Sequence, residues 1–389
     1  MNAPELDLDF YSDEGLANPY PLYQRLRDAA PVVFLPRLGM YAMGRYKDVR
    51  AALGEAELFT SSQGVMMNQL MNDTLRGITL CTDGEEHRRM RHVINKPLTT
   101  PALRLLREPI TKEAEALVER LVAQHIFDAA TELAQHLPVA IVSDQVGLPE
   151  EGRERMLDWA AANFNCFGPL NTHTTNAFPV VQEMVHYAFH QAVPGKLKPG
   201  GWAAGIYAAA DRGEIRPERC PVMMNDYMGP SLDTTIFGVS SMIWLLAEHP
   251  GEWEAIRADP SLIPSAVNES LRLESPIQGF SRVATRDCDV DGVQLPSGSR
   301  VIVFYGSANR DERKWADASV FNVRRRATEH LAFGYGDHLC VGMNLARMEM
   351  EALLQALVKR VKHFELLKAE RALNNVLRGF KTVRVRVTR

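Results

Sequence analysis

The segment Leu331-Ala332-Phe333-Gly334-Tyr335-Gly336-Asp337-His338-Leu339-Cys340-Val341-Gly342 constrains this chain more than any other. It follows a polar, irregular stretch from Asp311 to His330. It precedes Val341, Leu345, Met348, Ala352, Leu353, Ala356 and Leu357, a stripe that recurs at helical spacing. A loop therefore passes straight into a helix, with Cys340 at the join. Gly334 and Gly336 allow turns that a Cβ would obstruct, and Gly342 lets a flat ligand approach the backbone. Unpaired N–H groups and the positive end of the helix dipole are expected to stabilise a thiolate there and lower the cysteine pKa. A thiolate held in this way binds ferric iron and pushes electron density into it. Without such a setting, a lone cysteine beside a helix is a small buried hydrophobe.

The other cysteines, Cys81, Cys166, Cys220 and Cys288, are scattered and form no C-x-x-C pair, so a disulfide framework and a structural zinc site are not expected. The chain has 389 residues, 46% hydrophobic and 24% charged, with no repeat, low-complexity tract or Gly/Ser linker. It reads as one continuous domain over residues 1–389, mainly α with a minor β portion. β-like runs occur at 32–34, 40–43, 290–295 and 301–305. Ile110, Ala114, Leu117, Val118, Leu121 and Val122 share one helix face, and a second helical block covers roughly 218 to 278. A formal charge of −4 gives no general attraction to nucleic acid or to an anionic membrane. The N-terminus lacks the cationic and apolar regions of a secretion signal, and the uncharged run from Thr234 to Ala247 is shorter than the ~20 residues of a membrane span. A cytoplasmic, soluble monomer is expected.

The spacing Phe333-x-x-Gly336-x-x-x-Cys340-x-Gly342 resembles the haem-loop signature of the cytochrome P-450 family at every defining position, and the resemblance extends over essentially the whole chain. It implies that family's fold, with haem b between a long distal helix and the proximal cysteine loop, and Cys340 as the axial ligand of the iron. Glu269-Ser270-Leu271-Arg272 is similar to the family's E-x-x-R motif, and Arg325 is the matching partner from the loop before the cysteine. Taken alone, Glu269 and Arg272 are an i,i+3 helix pair of small worth. His87-x-x-x-Arg91 fits the propionate-binding helix, and Arg282 and His338 occupy the other positions that contact the haem carboxylates. Two buried carboxylates need such donors. Phe333 and Gly342 complete the implied haem contacts.

Gly229-Pro230-Ser231-Leu232-Asp233-Thr234-Thr235 lies where the family places its oxygen-activation segment, in the middle of the distal helix. The resemblance implies a proton relay through Asp233 and Thr234. Alone, the segment reads equally as a helix N-cap after a proline. Pro230 and Ser231 depart from the usual small residue and glycine, and proline favours a kink.

Within the family, similarity is greatest to bacterial monooxygenases of para-substituted benzoates, some of them O-demethylases, through 163–169, 274–278, 306–311 and 375–379. Phe164 and Phe167 match positions where that branch packs a substrate ring, and Phe280 is placed with them. Core aromatics would satisfy the same pattern. Where those enzymes have Arg followed by Ser, this chain has Asn225 and Asp226. Asp226, Pro230, Asp233 and Thr234 share helical spacing, which puts Asp226 and Pro230 at the pocket. An acid there disfavours a benzoate and suits a hydroxyl or amine donor, so the expected substrate is a small neutral or phenolic aromatic. Met66, Met67 and Met71 read either as adaptable groups at the pocket mouth or as core.

The resemblance further implies insertion of one oxygen atom of O2 into this substrate, by C–H hydroxylation or O-demethylation. The sequence ends soon after the family's terminal β region, so electrons are expected from a separate 2Fe-2S ferredoxin with its NAD(P)H-dependent reductase. The run His87-Arg88-Arg89-Met90-Arg91-His92, with Arg347, is either a cationic docking face or solvated surface. A haem-thiolate peroxygenase or a haem-dependent sensor would keep Cys340 but has little use for an acid–alcohol pair. A cysteine hydrolase leaves Glu269, Arg272 and Arg325 unexplained.

Overall fold

Apolar residues at helical spacing generate the largest elements. The computed structural model describes residues 1–389, the side chain of Arg153 excepted. In helix Thr100–Gln124 the stripe from Ile110 to Val122 is buried, and it packs on helix Met343–Val358. There Leu345, Ala352, Leu353, Ala356 and Leu357 are buried in turn, while Met348 stays half-buried. Helix Asp233–Glu248 is buried on nearly every side, as an element enclosed by others must be. It shares one core cluster with helix Ile263–Glu274 and the two helices above.

The β portion comprises three sheets. The largest runs in the order Val33–Leu35, Met40–Met43, Arg300–Phe304, Gly279–Ala284, Phe59–Thr60. Met40–Met43 lies parallel to Arg300–Phe304, with Tyr41 opposite Val301, and the other pairs are antiparallel. Strand Gly279–Ala284 has few outward positions, so it carries none of the polar–apolar alternation by which sequence reading finds strands. A three-stranded antiparallel sheet joins Ile126–Asp128, Phe380–Thr388 and His363–Arg371. Among the described residues, no helix is long and apolar enough to cross a membrane.

The distal helix is not continuous, which corrects the expectation of a motif in its middle. Helix Asn225–Met228 stops, residues 229–232 bend, and a new helix begins at Asp233. Proline has no N–H to continue the ladder, and its ring clashes with the carbonyl four residues back. The ladder restarts with Ile236 N–H donating to the Leu232 carbonyl at 3.0 Å. Asp226, Pro230, Asp233 and Thr234 therefore do not share one uninterrupted helical face.

Glu269 and Arg272, both without solvent exposure, tie helix Ile263–Glu274 to the irregular stretch before the cysteine loop. Arg272 donates twice to Glu269, at 2.8 and 2.9 Å, and Arg325 Nε donates to the same carboxylate at 3.0 Å. The remaining donors of Arg272 reach the carbonyls of Asn309 and Ala318, both at 2.7 Å, and Arg325 reaches those of Asp317 and Val320. A segment with almost no regular structure is thus held through its carbonyls. Glu269→Leu leaves two guanidinium groups facing each other without a counter-charge, and the expected loss is about 3–5 kcal/mol, read by thermal unfolding. Arg272→Met should cost more than Arg325→Met, because Arg325 keeps 13% of its surface in water; the reverse ranking would show that the network is not centred on the buried pair.

Candidate active site

The cysteine loop is shaped by its own backbone. Cys340 N–H donates to the Phe333 carbonyl at 2.9 Å, and Leu339 N–H to that of Gly336 at 3.0 Å. Gly336 has φ +72°, and a Cβ on it would stand 2.4 Å from the Leu53 carbonyl oxygen, so only glycine fits. At Gly342 the sole atom within 4 Å of such a Cβ is Cys340 Sγ, at 3.9 Å. The protein itself does not demand a glycine there. The Cys340 side chain opens into a cavity of about 240 Å³ rather than onto the outer surface. Burial raises its thiol pKa, outweighing the Gly342 and Met343 N–H groups and the Arg91 and Arg347 charges that lower it. The lowered pKa expected from a helix end is therefore corrected: the helix-end groups are present, but withdrawal from bulk water dominates.

The same cavity is lined by His87, Arg91, Arg282, Phe333, His338 and Gly342. The His87 and His338 rings lie 4.1 Å apart. Burial lowers both pKa values, that of His87 to about 4, so neutral imidazoles stand beside two guanidinium groups. His338 Nε2 is fixed on Asp83 at 2.9 Å, and Arg91 donates to the Leu339 carbonyl at 2.6 Å. Arg282, only 2% exposed, donates to the Ser281 carbonyl at 2.8 Å. His87 Nε2 is buried with no partner. Such a group costs free energy unless something outside the protein bonds to it.

The distal segment contributes Pro230, Ser231, Thr234 and Thr235 to the cavity, but not Asp233. Thr234 Oγ1 donates to the Pro230 carbonyl at 2.9 Å. Asp233 is buried, and burial first, then the charge of Asp158 on helix Met156–Cys166, raises its pKa to about 7. The acid and the alcohol are neighbours in sequence with different surroundings.

Phe164, Phe167 and Phe280 all line the cavity and form a chain of rings with centroid separations of 5.6 and 6.1 Å. Asp226 lines it too. Its Oδ2 accepts from Thr79 Oγ1 at 2.5 Å, and burial raises its pKa to about 7. It is thus not the fully ionised acid that the sequence reading assumed. Met66, Met67 and Met71 are buried in the core at 0, 4 and 2% exposure and none reaches the cavity, whereas Thr79 and Leu80 just beyond them do. The pocket-mouth reading is corrected: these side chains are core.

The cationic run is also divided. Arg88 and Arg89 point outward and share Glu85, at 3.0 and 3.1 Å, while His87 and Arg91 turn inward. Arg347 is half-buried and donates to Asn268 at 3.1 Å. No uniform cationic face results, because a helix sends consecutive residues to different sides.

Sequence reading gave no role to Asn163 or Glu349 and noted Asn225 only as a departure from the related enzymes, yet all three line the cavity. Glu349 is 1% exposed, its Oε1 lacks a partner, and burial raises its pKa to about 8. The signal was an acid placed four residues after Leu345 and four before Leu353, inside the apolar stripe.

Residues 210–380 match the Cytochrome P-450 family model. CYP199A2 of Rhodopseudomonas palustris is 36% identical over 391 residues, an alignment covering 99% of this chain and 95% of that protein. This chain belongs to the cytochrome P-450 family. Linalool 8-monooxygenase of Pseudomonas putida is 28% identical, with 99% of each chain covered. The solved cytochrome P-450 CREJ in complex with (4-ethylphenyl) dihydrogen phosphate matches with TM-score 0.85 and 26% identity, covering 97% of this chain and 99% of that one. The chain is a P-450 monooxygenase, and its cofactor is haem b. The cavity fits that group. It offers a sulfur, a glycine that the protein leaves uncrowded, and an orphaned imidazole nitrogen beside two guanidinium groups.

Because Glu349 holds its proton in the native state to about pH 8 but only to about 4.5 when exposed, it favours folding at low pH, and that contribution is lost as pH rises towards 8. Asp226 and Asp233 act with the same sign up to about 7. The Tm of the wild type should therefore fall between about pH 6 and pH 9, and that of Glu349→Gln should fall by several degrees less. Parallel curves would mean that Glu349 is ionised in the folded protein.

Proposed function

We propose that this P-450 oxidises a small aromatic compound, with electrons from a separate 2Fe-2S ferredoxin and its NAD(P)H-dependent reductase. One observation carries the substrate class: the ring chain Phe164–Phe167–Phe280 lines the same cavity as Cys340. Aromatic side chains at these separations pack a flat ring edge-on or offset. The CREJ ligand, a para-substituted phenyl ester, supports that class. The ferredoxin rests on the family resemblance alone.

Haem b, when bound, supplies activation of dioxygen and insertion of one oxygen atom into a C–H bond. Cys340 would hold its iron, and the N–H groups of Gly342 and Met343 would support the negative charge on sulfur. Arg91, Arg282, His87 and His338 would hold the propionates, and Phe333 and Gly342 would stand beside the ring. Thr234 presents its hydroxyl on the cavity side, and Asp233, with a pKa near neutrality, takes up and releases the proton behind it. Phe164, Phe167 and Phe280 orient the substrate and exclude water, with Pro230 and Asp226 closing the same pocket. On an aryl methyl ether, hydroxylation of the methyl group yields formaldehyde and a phenol. One domain over residues 1–389 fits a largest core cluster that runs from Val65 to Val387, and a cytoplasmic monomer rests on the family resemblance alone.

Cys340→Ser should abolish the thiolate-type carbon monoxide difference band. Thr234→Ala and Asp233→Asn should each lower product formed per NAD(P)H consumed by about tenfold or more, diverting electrons to peroxide. Undiminished coupling in both variants would remove the relay. Turnover driven by hydrogen peroxide but not by ferredoxin and reductase would favour a peroxygenase instead.

A further inference from the structure

One corner of the cavity is polar and serves neither the aromatic chain nor the oxygen segment. We propose that Asn163 and Asn225 form a substrate subsite that receives a neutral hydroxyl group; this rests on the aromatic-substrate reading above and names the polar end of that substrate. Asn163, on helix Met156–Cys166, is 1% exposed and its Oδ1 has no partner, and Asn225 Oδ1 is likewise buried without one. Both residues line the cavity. Two elements bring them to a single point, Gly229. A Cβ on that residue would lie 2.5 Å from Asn163 Nδ2 and 3.4 Å from Asn225 Oδ1, so the glycine is what admits both side chains.

Two unsatisfied amide oxygens are a standing cost in free energy, and a donor on the ligand would remove it. Asp226 adjoins Asn225, with one oxygen already taken by Thr79. Among the described residues, no arginine or lysine bonds to Asn163, Asn225 or Asp226, although the Arg91 charge acts on Asp226, so a carboxylate would find no bonded cation beside the two amide oxygens. A hydroxyl instead donates its proton to them. Phe164 follows Asn163 directly in the chain, which sets the donor site next to the ring site. A phenol, or an alcohol on a short para substituent, joins the two features.

The test uses ferric holoenzyme and three probes with the same ring and ethyl group: 4-ethylphenol, its methyl ether and 4-ethylbenzoate. Dissociation constants are read from the spin-state shift in wild type, Asn163→Leu and Asn225→Leu, each first checked for an intact carbon monoxide band. The wild type should bind the phenol about tenfold more tightly than the ether, the worth of about one good hydrogen bond, and either variant should erase that preference while the ether constant changes less than about twofold. Equal binding of phenol and ether by the wild type, tightest binding of the benzoate, or a preference that survives in both variants overturns the subsite and leaves the aromatic reading intact. If none of the three probes shifts the spin state of a wild type with a normal carbon monoxide band, the aromatic reading fails and takes the subsite with it. Should one variant not fold, the other and the wild-type preference still decide the matter.

Discussion

The placement of one sulfur atom governs the rest of this molecule. Cys340 is held by a backbone bond to Phe333, by Gly336 pressed against Leu53, and by the start of helix Met343–Val358. None of these supports could be rigid if the twenty irregular residues upstream were free. The Glu269–Arg272–Arg325 network holds them, chiefly through their carbonyls, and it is anchored in a fully buried helix segment. Replacing such an ion pair by apolar groups can be neutral for stability in general, so its value lies in geometry: it fixes where an otherwise shapeless segment runs. The sulfur is positioned by a chain of constraints whose charged centre lies outside the cavity.

The cavity itself is distinguished by what its polar groups lack. His87 Nε2, Asn163 Oδ1, Asn225 Oδ1 and Glu349 Oε1 are all buried without a partner, as are eight side-chain atoms elsewhere among the described residues. They sort by position and chemistry. The imidazole stands with Arg91 and Arg282, where an anion is balanced; the amides stand where no cation bonds to them; the carboxyl stands on the cysteine helix, protonated at neutral pH. Folding energy alone would select against each of them.

Much of this was legible in the sequence, and for identifiable reasons. The loop-to-helix join at Cys340, the stripe on Thr100–Gln124 and the dominance of helix follow from spacing, because amphipathic periodicity survives in any context. Phe164, Phe167 and Phe280 were found by resemblance, and the structure brings their rings together. Three things escaped. The break after Met228 was read as a kink, since Pro230 announces a lost hydrogen bond but not how many residues the chain needs to recover. The methionines of 66–71 pointed to a pocket, yet their adaptability is equally useful in the core that claimed them. Asn163 and Glu349 carry no motif and are marked only by the absence of partners in three dimensions, while Asn225 was noted as a departure without a role.

The break also bears on proton delivery. In an uninterrupted helix the carbonyl of residue 230 would accept the N–H of residue 234, and both would be spent in the ladder. Here the ladder restarts at Leu232, and the Pro230 carbonyl takes the Thr234 hydroxyl proton instead. With its own proton engaged, that hydroxyl has lone pairs left to accept a hydrogen bond from the cavity. Asp233 does not line the cavity, and burial, then the charge of Asp158, raises its pKa to about 7. In the relay proposed above, Thr234 is the member that lines the cavity, and Asp233, whose pKa lies near 7, stands off it.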